Sequence, residues 1–149
     1  MDKISYIDHA EQWKKEFVFS SPTRIRFSET DMFGHMNNVS PFIYFEEARI
    51  NFLKEVGLFT NIHTVTGVPV VADLQCDFHQ QLYFDQTIET YVKAAHVGNT
   101  SFDLHYMVVN EKKEIVLTGR GRMVYVDQHT GKPQALSEEM KQKLASYTA

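Results

Sequence analysis

The sequence has few of the residues that mark a secreted, membrane-bound or nucleic-acid-binding chain. It holds one cysteine, Cys76, so no internal disulfide can form and a reducing compartment suits it. No run of about 18 apolar residues occurs, and the stretch from Met1 to Lys15 has no apolar region of the kind a signal peptide needs. Lys and Arg number 15 against 19 Asp and Glu, a net charge of -4. That balance argues against a general nucleic-acid binder, which needs clustered cations to neutralise phosphates, but allows a small anionic ligand. The expectation is a soluble cytoplasmic protein with neither nucleic acid nor membrane as partner.

Several catalytic signatures are missing too. There is no GxSxG elbow, and Ser40, His35 and Asp31 are too local to form a triad. The seven His residues show neither HxxxH nor Cys-His spacing, so no metal is expected. The run Thr118 to Arg122, TGRGR, is too short for a phosphate loop and lies in a strand pattern.

What is present is a core for one domain: 149 residues, 43% hydrophobic and 13% aromatic. The chain is organised around the stretch from Arg26 to Gly57, which joins a strand end, a polar loop and one long helix. At 100° per residue Phe42, Phe45, Ala48, Phe52, Leu53 and Val56 share an arc that Val39, Ile43 and Ile50 widen past half the circumference. A helix so apolar should be wrapped by its surroundings. Tyr44, Glu47, Asn51, Lys54 and Glu55 are left as a polar strip. Glu46 and Arg49 fall on the apolar side, three apart, and should be partnered with each other or across a subunit contact. The helix starts between Asn38 and Pro41, and Gly57 is placed to end it in a left-handed turn.

Around the helix the periodicity is that of strands. Phe17 to Phe27 reads as β with a break at Ser20-Ser21-Pro22, placing Thr23, Ile25 and Phe27 on one face. Leu58 to Pro69 reads as a connecting loop with room for a short helical turn. Val70 to Phe78 alternates with period two, followed by strands over Ile88 to Val97, Thr100 to Asn110 and Ile115 to Val126. Gly119 and Gly121 imply a bend or a close backbone approach in the last strand. Ser137 caps a helix over Glu138 to Tyr147. Residues 1–16 form a peripheral extension with a short helix carrying Trp13 and Phe17, residues 17–136 the main domain, and residues 137–149 a terminal helix packed on it. The fold class is α+β, an antiparallel sheet curled around one helix. The sheet's outer face and edge must then be covered, which favours a dimer.

The run SETDMFGHMNNVSPFIYFEEAR, with weaker support from GNTSF, TGRGRMVYVD and TGKP, resembles the hot-dog fold acyl-CoA thioesterases of the 4-hydroxybenzoyl-CoA thioesterase-like family. The resemblance spans about Phe17 to Leu136. It implies a hot-dog fold and hydrolysis of acyl-CoA to a carboxylic acid and CoA without a cofactor. Asp31 matches the family's catalytic carboxylate, general base or nucleophile, and Asn38 the residue at the helix start whose N–H polarises the thioester carbonyl. Such enzymes are homodimers or homotetramers with the site at a subunit interface. Pro41 departs from the aromatic that many relatives carry nearby.

The residues themselves fit that chemistry, which needs an activated nucleophile and a donor for the oxyanion. Both lie within eight residues of each other, Asp31 as the first and the free N–H groups near Asn38 as the second. Gly34, His35 and Asn37 complete the expected substrate-binding loop. Glu29 reads as solvated and Thr30 as loop support. Arg120, Arg122 and Lys93 are the cations available to CoA phosphates, though a solvated surface is the ordinary fate of such side chains. The competing readings are a non-catalytic acyl-thioester binding module and, behind it, an enoyl-CoA hydratase.

Overall fold

The computed structural model describes residues 3–58 and 67–148. Its elements are a short helix α1 (Ala10–Lys15), strand β1 (Phe19–Arg24), a 3-10 turn (Phe27–Glu29), the long helix α2 (Ser40–Glu55), strands β2 (Gly67–Phe78), β3 (Thr87–Val97), β4 (Ser101–Val109) and β5 (Ile115–Asp127), and helix α3 (Glu138–Ser146). The strands form one antiparallel sheet in the order β1-β3-β4-β5-β2. This is the hot-dog arrangement, a long sheet curled around one helix.

The centre of α2 is dry. Tyr44, Phe45, Ala48, Phe52 and Leu53 are buried against inward residues such as Val92, Leu104, Tyr106 and Leu117. Phe45 lies flat on Tyr106 with ring centroids 4.4 Å apart. A Cβ on Gly119 would sit 2.5 Å from the Phe45 ring and 2.8 Å from the Gln75 carbonyl, so the expected close approach is helix side chain against sheet backbone. The helix ends as its sequence suggests: Gly57 has φ +82°, and the Leu58 N–H reaches back to the Leu53 carbonyl at 2.8 Å. Ser137 caps α3 by accepting the Met140 N–H.

Four expectations need correction. Tyr44 does not belong to a polar strip; it is 1% exposed, because its hydroxyl finds a buried acceptor while its ring packs in the core. Strand β1 runs unbroken through Ser20-Ser21-Pro22, which an edge strand tolerates because the missing N–H at Pro22 costs no ladder bond there. Ile25 is buried but Phe27 turns outward in the 3-10 segment and is exposed. Strand β2 already starts at Gly67, so of the supposed loop only Leu58 and the strand residues 67–69 are described; the rest, with any helical turn, lies outside the described residues.

The N-terminal segment is also more than an appendage. Ile4, Ile7, Trp13 and Phe17 are buried against Met107 and Val109 on the convex face of the sheet, a second apolar cluster apart from the one around α2. Beneath it the Trp13 indole N–H donates to His105 Nδ1 at 2.8 Å. Lys93, expected at the surface, is buried there in an ion pair with Glu16, its ammonium 5.1 Å above the Phe17 ring. The chain thus covers part of its own outer face. Glu46 and Arg49 do meet, at 4.0 Å, with Arg49 buried and donating to the Tyr106 hydroxyl and Glu46 exposed. Among the described residues no helix is long and apolar enough to cross a membrane.

Candidate active site

The polar loop between β1 and α2 is built on Glu29. Its carboxylate is 4% exposed and accepts the Arg26 N–H at 2.9 Å, the Arg26 guanidinium at 2.6 Å and the Tyr44 hydroxyl at 3.0 Å. The Glu29 carbonyl accepts the Ser40 hydroxyl at 2.9 Å and the Asn37 N–H at 2.7 Å. Burial pushes this carboxyl's pKa up, but the Arg26 and Tyr44 donors outweigh it and leave it below the usual carboxylate range. The reading of Glu29 as solvated is therefore wrong. Its spacing of three from Arg26 was the available signal; the contact with Tyr44 left none.

From this anchor the loop closes on itself. Thr30 bridges Met36, His35 bridges Tyr83, and the Met36 N–H donates to the Leu82 carbonyl at 2.7 Å. Asp31 sits at the turn: its Oδ1 accepts the N–H groups of Phe33 at 2.8 Å and His35 at 3.1 Å. Its second carboxylate oxygen meets no donor among the described residues, and the side chain is exposed. Gly34 supplies φ +79° with nothing within 4 Å of its Cβ position, so the turn needs glycine for its backbone angle and leaves open space above it.

The amino end of α2 completes the site. Asn37 holds the entry to the helix, its Oδ1 accepting the Val39 N–H and its carbonyl the Ser40 N–H, each at 3.0 Å. Val39 is the cap, within the expected bounds for the helix start, and Pro41 lies in the first turn where a missing N–H costs nothing. The Asn38 N–H has no acceptor among the described residues, and it stands at the positive end of the helix.

These pieces share one cleft of about 340 Å³, lined by Asp31, His35, Met36, Asn37 and Asn38, with Phe78 and Gln81 closing the other side. Four of the five residues singled out in the sequence line it, and Gly34 forms the turn beneath. Phe78 and Gln81 were missed, since only tertiary packing brings the end of β2 to the loop. The cations proposed for phosphates are engaged elsewhere: Arg120 pairs with Asp73 at 2.9 Å, Arg122 with Asp103 at 3.0 Å, and Lys93 with Glu16. Among the described residues no three His, Cys, Asp or Glu side chains converge to hold a metal ion.

The thioesterase-like superfamily model matches residues 25–144. The Bacillus subtilis protein YsmA is 44% identical over 142 residues, covering 94% of this chain and 95% of its own length. Among solved structures, the PA5185 protein of Pseudomonas aeruginosa superposes with a TM-score of 0.81 at 26% identity, over 90% of this chain and 94% of that one. The DHNA-CoA thioesterase of Staphylococcus aureus gives 0.78 at 19% identity, over 85% and 90%; at that identity the likeness speaks for the fold. The match over most of the chain, on top of the helix-centred sheet and the loop at its mouth, makes this chain a member of the thioesterase-like superfamily.

Proposed function

We propose that the protein is an acyl-CoA thioesterase in which Asp31 supplies the base or nucleophile and the Asn38 N–H receives the oxyanion. The observation that carries this is that one cleft is lined by both Asp31, whose second carboxylate oxygen meets no donor, and Asn38, whose N–H meets no acceptor, among the described residues. With Oδ1 tied to the turn, Oδ2 is the atom free to take a proton from water or to attack the thioester carbon. The Asn38 N–H and the helix dipole then stabilise the charge gathering on the carbonyl oxygen, a contribution of about 2.7 to 4 kcal/mol for a well-placed donor. Collapse of the tetrahedral intermediate expels the CoA thiolate. If Asp31 is the nucleophile, the first product is a mixed anhydride that water then opens. His35 and Asn37 line the cleft as substrate contacts, and Gly34 lets the thioester approach the backbone.

The proposed assembly is a homodimer or homotetramer with the cleft at a subunit interface, in a cytoplasmic setting that suits the single thiol. Its support is the exposure of Phe27, Met32, Phe33 and Phe84 around the loop, a concentration of apolar surface that marks an interaction site. Light scattering on the eluting protein reports the assembly. The activity is tested by thiol release over a panel of acyl-CoAs. Asp31→Asn should lower turnover at least about a hundredfold while the melting temperature holds. A fully active Asp31→Asn protein refutes the assignment; tight acyl-CoA binding without thiol release makes it a binding module instead.

A further inference from the structure

We propose that Ser40 is a positioning residue for the thioester reaction: its buried hydroxyl ties the start of α2 to the loop that carries Asp31, and so fixes where the Asn38 N–H stands relative to that carboxylate. The inference rests on the thioesterase reading and adds to it a group that touches no substrate.

Both halves of the proposed machinery hang on one carbonyl. The Glu29 carbonyl oxygen accepts the Asn37 N–H at 2.7 Å and the Ser40 hydroxyl at 2.9 Å. Glu29 stands two residues before Asp31, and Ser40 two residues after Asn38. The acceptor is itself held firmly, because the Glu29 N–H donates to the Arg26 carbonyl at 2.9 Å while its carboxylate takes the donors of Arg26 and Tyr44. The Ser40 N–H in turn donates to the Asn37 carbonyl at 3.0 Å. Three hydrogen bonds thus close a ring through Glu29, Asn37 and Ser40.

That ring sets a direction. The Asn37 carbonyl and the Asn38 N–H belong to one planar trans peptide unit and point opposite ways, so a carbonyl drawn toward Ser40 turns the N–H out of the amino end of α2. Removing the Ser40 hydroxyl leaves the Asn37 N–H on Glu29 but frees the first turn of α2 to shift against the loop. Ser40 is 4% exposed and does not line the cleft, so its hydroxyl acts through the backbone and not on substrate. Its helix neighbours offer no substitute, since Val39 has no polar side chain and Pro41 has no N–H.

The test measures kcat and KM of thiol release for the wild type, Ser40→Ala and Ser137→Ala, with circular dichroism to check folding. Ser137→Ala serves as the control, because it removes the cap of α3 and leaves the cleft alone. Ser40→Ala should lower kcat about tenfold and leave KM within about twofold, since a misplaced donor weakens the transition state and not substrate binding. Ser137→Ala should keep kcat within about twofold of wild type. A wild-type kcat in Ser40→Ala, a loss confined to KM, or an equal loss of kcat in both variants overturns the proposal. In an Asn38→Pro background Ser40→Ala should cost less than about a further twofold, because the group it positions is gone. An undiminished loss there overturns the proposal as well. A wild type that releases no thiol from any acyl-CoA is instead a failure of the thioesterase reading. The positioning is then read, as it also is if the proline variant does not fold, from the heteronuclear NOE of the Asn38 amide. That value should fall in Ser40→Ala and hold in Ser137→Ala; an unchanged value in Ser40→Ala overturns the proposal.

Discussion

The Glu29 carboxylate accepts the Tyr44 hydroxyl at 3.0 Å, joining the base of the loop to the first turns of α2. Removing that acceptor strands a buried hydroxyl and the Arg26 N–H together. Glu29→Ala should therefore destabilise the protein by about 2 to 3 kcal/mol in denaturant titration. Tyr44→Phe, which removes the donor without opening a cavity, should cost about 1 kcal/mol. Equal effects for the two substitutions would contradict the assignment of Glu29 as the anchor.

The Asn38 donor belongs to the main chain, so its side chain should matter little. Asn38→Ala is expected to keep turnover within a few-fold of wild type, whereas Asn38→Pro, which deletes the N–H, should lose about 10² to 10³ in kcat. Initial rates of thiol release decide this, with melting curves to confirm that the proline variant folds. A large loss in the alanine variant would move the role to the side-chain amide.

A methyl group at position 119 has nowhere to go. Gly119→Ala places a Cβ 2.5 Å from the Phe45 ring and 2.8 Å from the Gln75 carbonyl oxygen, and the second of these is backbone that cannot rotate away. The expected loss is about 1 to 3 kcal/mol, read as a lower midpoint in urea. Pairing it with Phe45→Leu should recover part of the loss.

Beneath the N-terminal segment, burial, reinforced by Lys93 and Arg120, pushes the His105 pKa down to about 4. In the unfolded chain the same imidazole titrates near 6.5, so between those values the unfolded state binds more protons. Stability from this group is complete above about pH 6.5 and is lost as pH falls toward 4, by on the order of 3 kcal/mol. The Glu16 carboxyl, held low mainly by its hydrogen bond from Lys93, sheds its contribution only below the ordinary carboxylate range. Unfolding free energies of wild type and His105→Gln between pH 4 and 7 should separate the two, since the variant loses only the upper window.

Periodicity made the helix and four of the strands legible, because one face of each is uniformly apolar. Asp31, His35, Asn37 and Asn38 were legible because they lie close together in sequence and meet in one cleft through local turns. Glu29, Lys93 and Tyr44 were misread for one shared reason. Each buries a polar group whose partner lies in another element or is not fixed by spacing alone, so residue type pointed outward while the hydrogen bond held it in. Phe78 ends an alternating strand like many others, and its importance arises only where β2 meets the loop.

Trp13 and Phe17 lie on the convex face, outside the span matched by the superfamily model. Trimming the chain to that span would remove both them and strand β1, uncovering Met107 and Val109 and opening β3 as a new edge. The shortened protein would be sticky along a whole strand, prone to clump during expression. For anyone preparing it, the segment carrying Ile4, Ile7, Trp13 and Phe17 has to stay attached.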